Sequence, residues 1–414
     1  MKNIEVRFGK LFPWQKPVYD AVTSDNGAGR TYLTVARRQC GKSIVAEVCL
    51  LYYAFSRNGS ISCCIEPTQS QCRRVFKQIV TALGGTSCPV IASANATLLE
   101  LEFTNGSSIV FKSAEMDESA LRGLTISHGL LVIDEAAFID KDVFEVLYPT
   151  VDATNSPILM ISTPLFCSGE FYEMYERGKA GDSRISVFEW NQYDTSALLP
   201  PEKLEYYRQT MSPLKFQSEY LAMFIKEGSY LFSDFTKCVK GYSTKPPVYG
   251  GVDWGAHGTD SSVLILMDEE KAVTNIKRWT DVDSVDLIDM LSDEIKKYHS
   301  VQMVQVEKNS IGDVYFDMLK RKLPKGMLKG FVTTNESKRR IIESLIADVQ
   351  TGIITLPNEP ELIKQMQHLG ATKTPTGLMK YEGMDGVHDD IPMALSICLD
   401  LYKNNNKVFR IAFG

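Results

Sequence analysis

The chain has 414 residues, too many for one ordinary domain and enough for two of about 200. Hydrophobic residues make up 44% and charged residues 23%, the balance of a soluble globular protein, and no apolar run approaches the roughly 18 residues that a membrane span needs. The net charge of −6 gives no overall basicity for nucleic acid, so any such contact needs a local patch; nine cysteines without a C-x-x-C pair and only five histidines give no zinc-type cluster.

The start, "MKNIEVRFGK", lacks the apolar core of a signal peptide. In "LFPWQK", Trp14 and Gln15 precede the first strand, an aromatic with an amide that could dock an adenine. "TYLTVA" (31–36) is β-branched and apolar and predicts a buried strand. "KSIVAEVCLLYYAF" (42–55) is long, apolar and free of Gly and Pro, and predicts a helix. Between them runs "RRQCGKS", a G-K-S with Ala36 where the usual phosphate-binding loop has its first glycine. Backbone N–H groups at a helix N-terminus bind anions. Lys42 adds a point charge near the β- and γ-phosphates, and Ser43 offers a hydroxyl to Mg²⁺.

"GLLVIDEAAFI" (129–139) is an apolar strand ending in two acids. Asp134 is placed to hold Mg²⁺ through water and Glu135 to polarise the attacking water; a charged helix cap alone would explain one acid, not two. With the G-K-S loop, this pattern predicts an ATPase. "ILMISTPLF" (158–166) predicts another buried strand, ending in Ser162 and Thr163. Those hydroxyls either sense the γ-phosphate or simply form a turn.

"KEGSYLFSDF" and "GYSTKPP" are rich in Gly, Ser and Pro and read as a connection, 226–247, between an ATPase domain (1–225) and a second domain (248–414). Strands are predicted at 248–253, 261–267 and 271–279, a helix at 284–298, a strand at 301–306 and a final helix in "HDDIPMALSICLDLY". Three strands in meander, then helix, strand and helix, is the order of a ribonuclease H-like fold. Asp253 ends the first of these strands, Glu307 the fourth, and Asp389 and Asp390 open the last helix. Carboxylates from separate segments hold hard divalent ions, and two ions about 4 Å apart activate a water and stabilise the leaving oxygen of a phosphodiester. Taken singly, each acid reads as a solvated cap; it is the ordered set that points to a metal site. Asp260 is a candidate accessory acid, and His388 could orient a water. "SKRRIIESL" (337–345) is the clearest basic cluster near these acids: a DNA contact or a solvated helix start.

In this order, "PWQ", "ARRQCGKS", "IEPTQSQCRRVFKQI", "SAEMDESALRG", "LLVIDEAAF", "ISTP", "GVDWG", "VEKNSIG" and "HDDIPMAL" resemble the large terminase subunit of tailed bacteriophages, a DNA-packaging motor. The loop without its first glycine resembles the family's variant loop. The resemblance implies an α/β chain: an N-terminal P-loop NTPase of the ASCE type with a parallel-rich sheet, then the ribonuclease H-like nuclease. It implies that Arg37, Arg38, Gln39, Cys40, Gly41, Lys42 and Ser43 form the nucleotide loop, with Arg37 or Arg38 contacting the γ-phosphate. Gln15 is implied to contact adenine, Asp134 to hold Mg²⁺, Glu135 to be the base, and Ser162 and Thr163 to couple hydrolysis to motion. Arg122, in "ALRG", resembles an arginine finger reaching a neighbouring subunit's ATP. Asp253, Glu307 and Asp390, with Asp389 adjacent, are implied to hold two Mg²⁺ or Mn²⁺. The implied partners are double-stranded DNA, the portal and procapsid, the small terminase subunit and further copies of the chain in a ring. The implied place is the host cytoplasm, with docking on the procapsid, no place in the mature virion and no membrane. Other readings are a helicase-like translocase with a fused nuclease, a resolvase-like nuclease with a regulatory NTPase domain, or an assembly protein with nucleotide-fold remnants.

Overall fold

A computed structural model describes residues 9–24, 29–116, 118–226, 228–232, 234–255, 261–309, 311–374 and 379–405. The chain divides into two compact units. The first comprises the described residues of Met1–Leu204, Lys215–Glu227 and Lys373–Leu378; the second those of Glu205–Leu214, Gly228–Thr372 and Met379–Gly414.

The first unit is built on strands β1 (Thr31–Ala36), β2 (Ile61–Glu66), β3 (Ile91–Asn95), β4 (Glu100–Phe103), β5 (Ser108–Ser113), β6 (His128–Asp134), β7 (Ile158–Ser162) and β8 (Ile185–Trp190). They lie in the order β3-β4-β5-β2-β6-β7-β1-β8. From β5 to β8 every pairing is parallel, and β3 and β4 add an antiparallel edge. A parallel sheet is covered on both faces, so its strands read as continuous apolar runs rather than alternating ones. All of β1 and β7 are buried accordingly. Alternate residues feed two cores. Tyr32, Cys64, Val132 and Leu159 pack with Val45, Cys49 and Leu50 of helix Lys42–Ser56. Leu33, Ile65, Ile133 and Met160 pack on the opposite side with Phe144 and Phe171. Each such side chain contributes about 1.5–3 kcal/mol of burial. The strands that carry the loop, the acid pair and the Ser-Thr end, β1, β6 and β7, are neighbours, so their C-terminal ends share one sheet edge.

The second unit has β9 (Ser229–Tyr230), β10 (Tyr249–Asp253), β11 (Ser262–Met267), β12 (Val273–Trp279), β13 (Met303–Glu307), β14 (Leu328–Phe331), β15 (Leu369–Lys373) and β16 (Met379–Gly383). Its main sheet runs β12-β11-β10-β13-β14. The meander β10–β12 is antiparallel, while β13 joins β10, and β14 joins β13, in parallel. The strands β16-β15-β9 form a separate small sheet. Residues 226–247, read from composition as a connection, are built into this unit from Gly228 on: β9 pairs with β15, and Leu231, Phe232, Phe235 and Cys238 are buried. Helix Asp390–Asn405 is buried without a break from Asp390 to Leu401. It sits close because β10 carries Gly251. A Cβ there would lie 2.3 Å from the Ala394 carbonyl oxygen and 2.5 Å from the Cys398 nitrogen.

Candidate active sites

The loop after β1 turns through two left-handed residues, Gln39 (φ 56°) and Gly41 (φ 85°). At Gly41 a side chain is barred twice over, by φ and by the Gln15 amide, whose nitrogen would lie 2.4 Å from a Cβ. Helix Lys42–Ser56 then starts with no side-chain cap and no acid in its first turn. Ordinary helix starts favour both. Their absence leaves the first-turn N–H groups for an anion. Two side chains brace the loop from outside: the Trp14 indole N–H donates to the Cys40 carbonyl (3.0 Å), and the Gln15 amide donates to the Gly41 carbonyl (2.9 Å).

Asp134 and Glu135 meet this loop. The Ser43 hydroxyl donates to Asp134 Oδ2 at 2.8 Å, and the Lys42 ammonium lies 3.4 Å from Glu135 Oε1 and 3.2 Å from the Thr163 hydroxyl. Glu135 occupies the left-handed region (φ 49°), which turns its carboxylate back to accept from the Thr163 hydroxyl (3.2 Å) and, more loosely, from the Ser162 hydroxyl and the Thr163 N–H, each at 3.4 Å. The six positions Lys42, Ser43, Asp134, Glu135, Ser162 and Thr163, far apart in sequence, thus form one polar cluster. Burial first, then Glu135, pushes the Asp134 carboxyl up to about 6. A group so placed favours a nearby cation. The donors are hard oxygens, which fits Mg²⁺.

Three expectations for the loop change. Gln15 is 1% exposed, and its amide is engaged at both ends, Oε1 accepting from the Phe12 N–H at 2.8 Å; it braces the loop instead of presenting itself to a base. Arg37 is 2% exposed and points inward: its Nε donates to the Thr195 hydroxyl, and its terminal nitrogens donate to the Thr195 (3.0 Å) and Arg38 (2.8 Å) carbonyls. Arg38 is the outward arginine, held 3.1 Å from Glu219. Cys40 is 0% exposed, and its thiol donates to the Arg37 carbonyl at 2.9 Å. Burial raises that thiol's pKa, so Cys40 packs inside the loop as a structural side chain. Gln39 is exposed at the loop's tip. Arg122 is exposed at the end of helix Glu118–Arg122, on a hollow shared with Asp142, Glu145 and Thr150 that includes none of the six cluster residues.

Sequence reasoning missed Thr195, for which no local signal exists, and Glu66. The latter ends β2 as Asp134 ends β6, and the strand-end rule applied to "ISCCIE" would have found it. Burial and then Asp134 push Glu66 up to about 9, and the same two causes push Glu47 up to about 7.

In the second unit Val252 pairs with Val306, so Asp253 and Glu307 end adjacent parallel strands about 4.8 Å apart. The Trp254 indole N–H donates to the Glu307 carbonyl (2.9 Å) and ties the two strand ends. Asp390 Oδ2 accepts from the Ser261 N–H (3.2 Å). Burial, then Glu307 and Asp389, raises the Asp253 carboxyl well above the usual carboxylate range, with Asp390 adding to the push. Glu307, Asp389 and Asp390 thus all lie near enough to act on the Asp253 carboxyl. Lys338 bonds Asp389 at 2.7 Å and Arg340 bonds Asp400 at 2.6 Å, so two cations of "SKRRIIESL" are paired with acids of this unit. His388 is exposed beside Asp389, and Asp260 lies outside the described residues. Among the described residues no three His, Cys, Asp or Glu side chains close on a single point. The all-oxygen donor set nevertheless fits Mg²⁺ or Mn²⁺.

A parallel sheet carrying a phosphate-binding loop and a strand-end acid pair, followed by a ribonuclease H-like sheet carrying clustered carboxylates, defines a two-domain α/β protein with an NTPase-type and a nuclease-type domain. A family model for the terminase large subunit, T4likevirus-type, N-terminal part, matches residues 34–236. The terminase large subunit of Thermus phage G20c is 23% identical over 449 aligned residues, covering 94% of this chain and 88% of that one. The large terminase of a thermophilic bacteriophage, solved in complex with ADP, shares the fold with a TM-score of 0.64 at 14% identity, over 97% of this chain and 100% of that one. Residues 34–236 thus match the N-terminal part of the large-terminase family, and the chain as a whole is similar to large terminases of bacteriophages.

Proposed function

We propose that this chain hydrolyses ATP to drive double-stranded viral DNA into a procapsid and cuts concatemeric DNA with divalent metal ions. The observation that carries the reading is the convergence of Lys42, Ser43, Asp134, Glu135 and Thr163 at one sheet edge of a chain that also gathers Asp253, Glu307, Asp389 and Asp390.

In the first site the loop N–H groups and Lys42 bind phosphate, and Ser43 and Asp134 hold Mg²⁺. Glu135 takes the proton of the attacking water, and Arg38, the outward loop arginine, meets the γ-phosphate. Ser162 and Thr163, bonded to Glu135, register whether that carboxylate is engaged. In the second site Asp253, Glu307, Asp389 and Asp390 hold the ions, which supply an activated water and charge for the leaving oxygen when bound. DNA is gripped through its phosphates, so binding is salt-dependent and largely sequence-neutral. The start site is then chosen by a partner, the small terminase subunit, and the motor works as a ring on the portal in the host cytoplasm.

The test is packaging in vitro with procapsid, small subunit and ATP. Lys42→Ala lowers ATP hydrolysis by about 10²–10³-fold and stops packaging while metal-dependent plasmid cleavage persists. Asp253→Ala does the reverse, losing cleavage and keeping hydrolysis. Packaging by Lys42→Ala, or strand unwinding on free DNA without procapsid, would overturn the motor reading.

A further inference from the structure

Glu66 is 0% exposed, and neither of its carboxylate oxygens has a hydrogen-bond partner. Such a group is costly to bury unless something satisfies it. Its place in the sheet shows where it points. Ile65 pairs in parallel with Ile133, so Glu66 and Asp134 lie side by side at the next step. Cys64 and Val132, two residues earlier on each strand, share the core beneath helix Lys42–Ser56. Side chains alternate along a strand, so Glu66 and Asp134 continue that same face. On the helix, Ser43 and Glu47 are one turn apart, and Ser43 already bonds Asp134. The charges that act most on Glu66 are Asp134, Arg74, Glu135 and Glu47, three of them acids. The one cation of the four, Arg74, is exposed and makes no hydrogen bond to it.

We propose that Glu66 is a positioning residue for the nucleotide's divalent cation. It accepts a hydrogen bond from a water of the ion that Ser43 and Asp134 hold, and so sits one water away from the metal. Neighbouring strands are about 4.8 Å apart, so one strand-end acid reaches an ion directly and its neighbour reaches it through water. Mg²⁺ suits this because it gives up its waters reluctantly and keeps several of them when bound. The cation supplies the positive charge and its water the donor that this buried carboxylate lacks.

The inference rests on the nucleotide-site reading above. The experiment measures binding of a fluorescent ADP analogue to the full chain at rising Mg²⁺ concentration. Glu66→Met removes both charge and acceptor at similar volume. It raises the Mg²⁺ midpoint about tenfold, the usual size of an outer-shell effect, while binding in EDTA and the melting temperature without nucleotide do not fall. Should that variant not fold, Glu66→Gln raises the midpoint at least about threefold. A midpoint equal to that of the unaltered chain in the folded variant overturns the proposal. Asp134→Asn separates the two readings. If it shifts the midpoint and Glu66 variants do not, only this inference fails; if it too leaves the midpoint unchanged, the nucleotide-metal reading fails with it.

Discussion

At the scale of single residues, two adjacent arginines have opposite fates. Arg37 is turned inward onto Thr195 and the Arg38 carbonyl, and the loss of solvent lowers its pKa. Arg38 is turned outward, and Glu219 raises its pKa. Arg37→Ala is therefore expected to cost stability, about 3 kcal/mol for hydrogen bonds from a buried charged group, measured by chemical unfolding. Arg38→Ala is expected to change the melting temperature by less than about 2 °C, its exposed ion pair being worth at most about 1 kcal/mol, and to lower the ATP hydrolysis rate at saturating nucleotide. Equal effects of the two substitutions on stability would contradict the assignment. Nothing in "ARRQ" distinguishes these side chains, because the difference lies in Thr195 and Glu219, 158 and 181 residues away along the chain.

At the scale of elements, the second site depends on how closely helix Asp390–Asn405 approaches β10. Gly251 permits the approach, and Asp390 at the helix start is carried toward Asp253 by it. Gly251→Ala inserts a methyl group against helix backbone, which a flexible side chain cannot relieve. The expected cost is about 1–3 kcal/mol of stability, with metal-dependent cleavage reduced and ATP hydrolysis retained, since the first unit is not touched. Thermal unfolding and the two activity assays check this together; full cleavage activity would show that the helix tolerates displacement. The tight pair "GG" before "VDWG" is visible in sequence, but the element it must accommodate begins 139 residues later.

At the scale of the whole molecule, the use proposed for Arg122 depends on assembly. It lies on a hollow apart from the six-residue polar cluster. If it serves a neighbour's nucleotide, the hydrolysis rate per chain rises with protein concentration or on added portal, and Arg122→Ala abolishes the rise. A flat rate, identical in the variant, would leave Arg122 a surface residue of its own chain.

Sequence alone determined the class of each half. Strand, loop and helix around "RRQCGKS" are local, and an apolar strand ending in "DE" needs no partner to be read, because burial in a parallel sheet writes itself as unbroken hydrophobic runs. The same holds for Asp253 and Glu307, whose strands alternate or run apolar up to the acid. Tertiary structure alone decided which polar side chains face the sites. It turned Gln15, Arg37 and Cys40 into braces of the loop, paired Lys338 and Arg340 with acids, and set Glu66 beside Asp134. The physical reason is range. Secondary structure follows from periodicities of 2 and 3.6 residues, whereas the direction and hydrogen-bond partners of a side chain are set by strands and helices that neighbour it in space and not in sequence.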